Sequence, residues 1–200
     1  MKLRTLALIS IAACAAGANA QNIAYNNFGP GDSYDQSDYH PVGSQFNYSW
    51  AMEFTSATSG ELASMAFAMD EFGAYNIALC DDTGGNGPGT QLQTWVSSGN
   101  NNGLTYVYGN GSTSLTAGQN YWVTVEPFTG DEFPAGEWFY SNNTYDPVDY
   151  SYTYLPPLSW TPRPGARSSA YRVETVPEPV PLATYALLAG ALLLRTCRRA

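Results

Sequence analysis

Three glutamates in the middle of the chain, Glu53, Glu126 and Glu137, are the residues whose type best suits a reaction, because glycoside hydrolysis needs two carboxyl groups flanking a sugar. Glu53 and Glu126 stand at polar positions of alternating segments, where a solvated sheet face accounts for them equally well. Nucleophilic catalysis has less to draw on. The one histidine, His40, lies in a polar stretch that reads as a solvated loop, and no Gly-x-Ser-x-Gly elbow occurs. Phosphate loops, dinucleotide fingerprints and His-Glu-x-x-His are missing from the sequence. One Cys and one His in the central region make no metal set, so neither metal nor cofactor is expected. Asp81, Asp82 and Asn86 bring oxygens into a Gly-rich stretch, but their spacing is not that of a calcium loop, and a turn between strands explains them. The expectation is a non-enzymatic chain, with a secreted carboxylate-pair glycosidase or a self-associating adhesive surface subunit using edge strands as the alternatives.

Aromatic residues give a stronger signal, for binding rather than catalysis. Trp95 and Trp122 fall on the polar positions of their alternation, and Tyr145, Tyr150 and Tyr152 sit among Asn, Asp and Ser. Exposed rings beside such groups stack on sugar faces while the polar neighbours bond hydroxyls, which makes these five the candidate carbohydrate contacts. Tyrosines packed over a sandwich edge are the plainer explanation.

The elements that must position these residues are strands. Trp50, Met52 and Phe54 alternate with Ser49, Ala51 and Glu53. The same period of two sets Met65, Phe67 and Met69 on one face, then Tyr75, Ile77 and Leu79, then Leu92, Thr94 and Val96. Leu104, Tyr106 and Tyr108 follow, then Tyr121, Val123 and Val125, Trp138 and Tyr140, and Tyr171 and Val173. Turn clusters separate them, as at Asp81 to Gly89 and Gly109-Asn110-Gly111. Roughly nine short strands and no long helical pattern predict an all-β fold, an antiparallel β-sandwich of jelly-roll-like kind.

Charge narrows the partners. The 200 residues carry a formal net charge of −9, and no Lys or Arg occurs from Gln21 to Pro162. Such a stretch repels phosphate, so no nucleic-acid partner is expected.

The two ends differ in kind from the middle. Met1-Lys2-Leu3-Arg4, the apolar run Leu6 to Ala16 and the small residues Ala18 and Ala20 have the order of a secretory signal peptide over 1–20, cut after Ala20, which implies export by the Sec machinery. Ile11-Ala12-Ala13-Cys14 also looks like a lipoprotein cleavage box, with Cys14 as the acylated residue. Signal-peptide removal and loss of the tail with Cys197 would leave Cys80 alone, so no internal disulfide is expected; the plain reading of Cys80 is a small buried residue in a strand.

At the far end Pro177-Glu178-Pro179 precedes an uncharged apolar run, Val180 to Leu194, and then Arg195, Arg198 and Arg199. That run makes about 22 Å of helix against a hydrocarbon core of about 30 Å. These three parts, in this order over 176–200, resemble the PEP-CTERM sorting signal of Gram-negative exported proteins. The resemblance implies transient inner-membrane insertion through the C-terminal helix and cleavage near the Pro-Glu-Pro triplet by an exosortase, with this chain as substrate. It implies a place at the cell surface or in the extracellular matrix, in bacteria that make exopolysaccharide, itself a candidate partner. Residues 21–175 resemble choice-of-anchor domains of the R type, through Asn27-Phe28-Gly29-Pro30-Gly31-Asp32, Gly87-Pro88-Gly89, Gly118-Gln119-Asn120-Tyr121-Trp122 and Ala170-Tyr171-Arg172-Val173. That family implies a β-sandwich and assigns no catalytic residue.

Overall fold

The computed structural model describes residues 21–43, 48–84, 87–98, 102–128, 135–142, 150–153, 160–163 and 167–177. The expected signal peptide, Tyr145 and the apolar run with the arginines that follow it lie outside them. All regular structure described is strand. In chain order these are β1 (Asn22–Asn26), β2 (Tyr34–Gly43), β3 (Ser49–Thr55), β4 (Gly60–Phe72), β5 (Ala74–Asp81), β6 (Gln91–Ser98) and β7 (Asn102–Tyr108). After them come β8 (Ser114–Leu115), β9 (Asn120–Pro127), β10 (Ala135–Ser141), β11 (Tyr150–Thr153), β12 (Thr161–Arg163) and β13 (Tyr171–Val176).

Two antiparallel sheets pack face to face as a sandwich. One has seven strands in the order β1-β13-β4-β10-β2, with β7 and β8 along the opposite side of β4; the other runs β12-β11-β3-β9-β5-β6. Between them lies a core fed by both inner faces: Met65, Phe67, Met69, Trp138 and Tyr171 from the first sheet, and Met52, Phe54, Ile77, Leu79, Val123 and Val125 from the second. Each comes from a period-two run, so the expected alternation of β3, β4, β5, β9 and β13 matches the fold.

Each sheet also buries a small cluster on its outer face. On the seven-stranded sheet Phe28 lies over Ala66, Ala68 and Ala170, with Phe139 beside them. The alanines leave room for that ring, and the segment carrying it is pinned by Asp32, whose carboxylate pairs with Arg172 at 2.5 Å. Asp32 holds a φ of 57°, a left-handed conformation that a non-glycine residue adopts only when its surroundings fix it. On the six-stranded sheet Trp122, Ala51, Ala78 and Cys80 pack under Trp160.

Two strands contradict the expected orientation. In β6 the residues Leu92, Thr94 and Val96 point out to solvent, while Gln93 is buried and Trp95 packs against the main core. In β7 Tyr106 and Tyr108 point outward and Thr105 and Val107 inward. Neighbours decide the parity: Trp95 stands opposite Ile77 and Val107 opposite Met65, both of which face the core. Burying the larger Trp95 ring gains more than burying Val96 would.

His40 is the third correction. It belongs to β2, not a loop, and is 4% exposed. Burial drives its pKa down to about 3, so the ring is neutral in the folded protein at ordinary pH.

Candidate functional site

The aromatic candidates do not form one surface. Trp122 is 2% exposed: it does point out of its sheet, as the polar alternation implies, but Trp160 covers it there, so the expectation of an exposed ring is corrected. Gly87 makes this covering possible, since a Cβ there would stand 2.7 Å from the Cβ of Trp160. The Trp122 indole N–H points to Asp82 Oδ1 at 3.4 Å. Trp95 is half-buried on the inner side of β6, and its indole N–H donates to the Tyr108 carbonyl at 2.8 Å. It ties the edge of one sheet to the edge of the other. Tyr150 and Tyr152 have backbone positions in β11, opposite Met52 and Trp50 of β3. The most exposed described aromatics are Tyr106 and Tyr108, which alternation had suggested for an inner face.

The carboxylates are also separated. On β3 and β9 Glu53 pairs with Trp122 and Ala51 with Thr124, so Glu126 lies four positions along β9 from the residue facing Glu53. At the rise of an extended strand that is about 13 Å, wider than the roughly 5 to 9.5 Å of glycosidase carboxyl pairs. Glu53 accepts a hydrogen bond from the Asn120 side-chain amide at 2.8 Å. Burial raises the pKa of Glu126. Glu137 is on the other sheet, beside the core residue Trp138 in sequence, and therefore faces the opposite outer side. There it bonds Tyr39, whose phenol it shifts upward.

The loop after β5 is held by its own backbone. Asp81 accepts from the Thr90 N–H at 2.5 Å, and Asp82 from the Gly84 N–H at 2.9 Å. Among the described residues no group of three His, Cys, Asp or Glu side chains is placed to hold a metal. Asn86 lies outside them. Cys80 is 2% exposed in β5, and burial, with Glu126 and then Asp81 adding to it, pushes its thiol up to about 12.

Among the described residues His40 has a nucleophile-like partner. Its Nδ1 lies 2.8 Å from Ser169 Oγ, and the serine hydroxyl in turn donates to the Trp138 carbonyl at 3.2 Å. With the serine proton committed, the proton of this contact belongs to Nδ1. The ring packs 4.1 Å from the Trp50 ring and 4.5 Å from that of Tyr140. Ser169 is fully buried, so no substrate reaches this pair. Nearby, Asn27 donates to Ser168 Oγ and the Ser169 carbonyl and accepts from the Tyr171 N–H at 2.7 Å. The group fastens the place where β1 gives way to β2 and β13 to β10. Sequence reasoning missed it because serines and one Asn far apart in the chain carry no local pattern.

The junctions with the terminal segments come together. β1 begins at Asn22 and β13 ends at Val176, and Asn22 pairs with Thr175. Gln21 and Pro177 therefore leave the sandwich side by side, Pro177 being the one member of the triplet within the described residues. Ala18, Ala20, Glu178, Pro179, Arg195, Arg198 and Arg199 lie outside them. No protein-family model matches this chain, and no curated protein matches it.

Proposed function

We propose that this chain is an exported, non-enzymatic protein of the cell surface or extracellular matrix, carried out by its signal peptide and processed by an exosortase at its C-terminal signal. The observation that carries the reading is the fit between the fold and the two signals. The first strand starts two residues after Ala20 and the last ends directly before Pro177, so both cuts fall outside the hydrogen-bonded sandwich. A jelly-roll-like sandwich of the choice-of-anchor kind, delivered by its tail to an exopolysaccharide matrix, is the finer form of the same reading. The separation of Glu53, Glu126 and Glu137 supports a binding or structural role over hydrolysis.

Mass spectrometry of the protein recovered from exosortase-bearing and exosortase-deficient hosts tests this. Processed chains are expected to begin at Gln21 and end near Pro177 to Pro179 only where the exosortase is present. The triple variant P177A/E178A/P179A is expected to keep its tail and stay with the membrane. Identical masses and location in both hosts would overturn the proposal.

A further inference from the structure

We infer that the edge strand β6 is a self-association surface that pairs with β6 of a second copy of this chain, extending the six-stranded sheet across a two-fold axis. Among the described strands β6 pairs with β5 alone. An unpaired strand edge presents backbone donors and acceptors to any passing strand, and proteins usually guard it with charge, proline, bulges or brevity. Three other edge strands among the described residues are guarded. β2 carries Asp35, Asp38 and Pro41 and a register shift, β12 is three residues long and contains Pro162 and Arg163, and β1 has a register shift of its own. β6, Gln-Leu-Gln-Thr-Trp-Val-Ser-Ser, has eight residues with neither charge nor proline, and its one guard is the bulge at Leu92, where the register passes from Gln93 opposite Leu79 to Gln91 opposite Cys80.

Its side chains point the same way. Leu92 and Val96, 40% and 58% exposed, are turned to solvent by the parity that buries Trp95. In an antiparallel pair of β6 strands these β-branched and aliphatic groups would meet across the two-fold on one face. The neighbouring edge is less available, because the Tyr108 carbonyl of β7 already accepts from Trp95 and Gln93.

Charge selects the occupant. No Asp, Glu, Lys, Arg or His occurs from Thr83 to Val125, the stretch that contains β6, β7 and β8, whereas the rest of the region 21–162 holds all its carboxylates and no Lys or Arg. Two copies of so acidic a chain repel one another on most approaches and least where these neutral strands meet.

The test is sedimentation equilibrium of the protein as exported, across a hundredfold range of concentration. The weight-average mass is expected to climb from one chain toward two. In T94E/V96E, which sets like charges across the two-fold, it is expected to stay at one chain over at least a tenfold wider range. Ala117 is exposed and off the strand, so A117E, with one added charge, should associate as wild type does. Unchanged circular dichroism and melting in T94E/V96E show that the variant is folded. A monomer at every concentration, or a dimer that T94E/V96E leaves intact, would overturn the inference. The contrast is read within one processed or unprocessed form, so failure of exosortase processing leaves it decidable.

Discussion

Single residues set the acid limit of this protein. His40 has a folded pKa of about 3 against about 6.5 for an exposed imidazole, so between those values the unfolded chain binds the extra proton and the folded one does not. The histidine's contribution to stability is therefore fully present above about pH 6.5 and is lost as the pH falls from there toward about 3. Asp35, held down to about 2 by the Ser37 hydroxyl and N–H and by Arg167, keeps its contribution above about pH 4 and loses it as the pH falls from there to about 2. Glu126 acts in the opposite sense, its raised pKa favouring the fold when protonated. Denaturant titrations of wild type and His40→Asn at pH 7 and pH 5 separate these, and the variant is expected to lose the histidine part of the slope. Cys80 gives a second residue-scale expectation. A thiol pushed to about 12 is thiolate in on the order of one molecule in ten thousand at pH 8, so iodoacetamide should label it only after unfolding. Rapid labelling of the native protein would contradict its placement.

At the scale of elements, Trp122→Ala is expected to destabilise by about 3 to 5 kcal/mol, because the indole is enclosed by Ala51, Ala78, Cys80 and Trp160. A melt within a degree or two of wild type would show that the cluster carries little. Gly109→Ala should also be costly, by about 1 to 3 kcal/mol, since the added methyl would overlap the Leu62 carbonyl. The sequence made the central strands legible: β3, β4, β5, β9 and β13 have large apolar residues at every second position because one face of each meets the core. It did not reveal β2, whose half-buried Asp35 and exposed Gln36, Ser37 and Asp38 carry no apolar alternation, nor β11 and β12, which are too short for a pattern to repeat. β6 and β7 were legible as strands but not in orientation. Both faces of each contain apolar groups, and only the neighbouring strand decides which is buried. For the candidate contacts the same ambiguity applied: polar alternation placed Trp122 on the outer face correctly, but nothing local announces that Trp160 returns to cover it.

For the molecule as a whole, the pairing of Asn22 with Thr175 has a consequence for the order of events in time. β13 lies between β1 and β4 and contributes Tyr171 and Val173 to the core, so the sheet is incomplete until that strand is in place. Contacts this distant along the chain form late and slowly. Pulse-chase export with protease challenge should find a chain truncated before Tyr171 degraded and one ending at Pro177 resistant; equal resistance would show that the sheet closes without its final strand. On the proposed route of export the nascent protein would therefore travel as a pliable thread, shielded from proteolysis by something other than its own fold. It would become a rigid body only once β13 had followed the rest, with the proposed sorting tail the part still to be delivered.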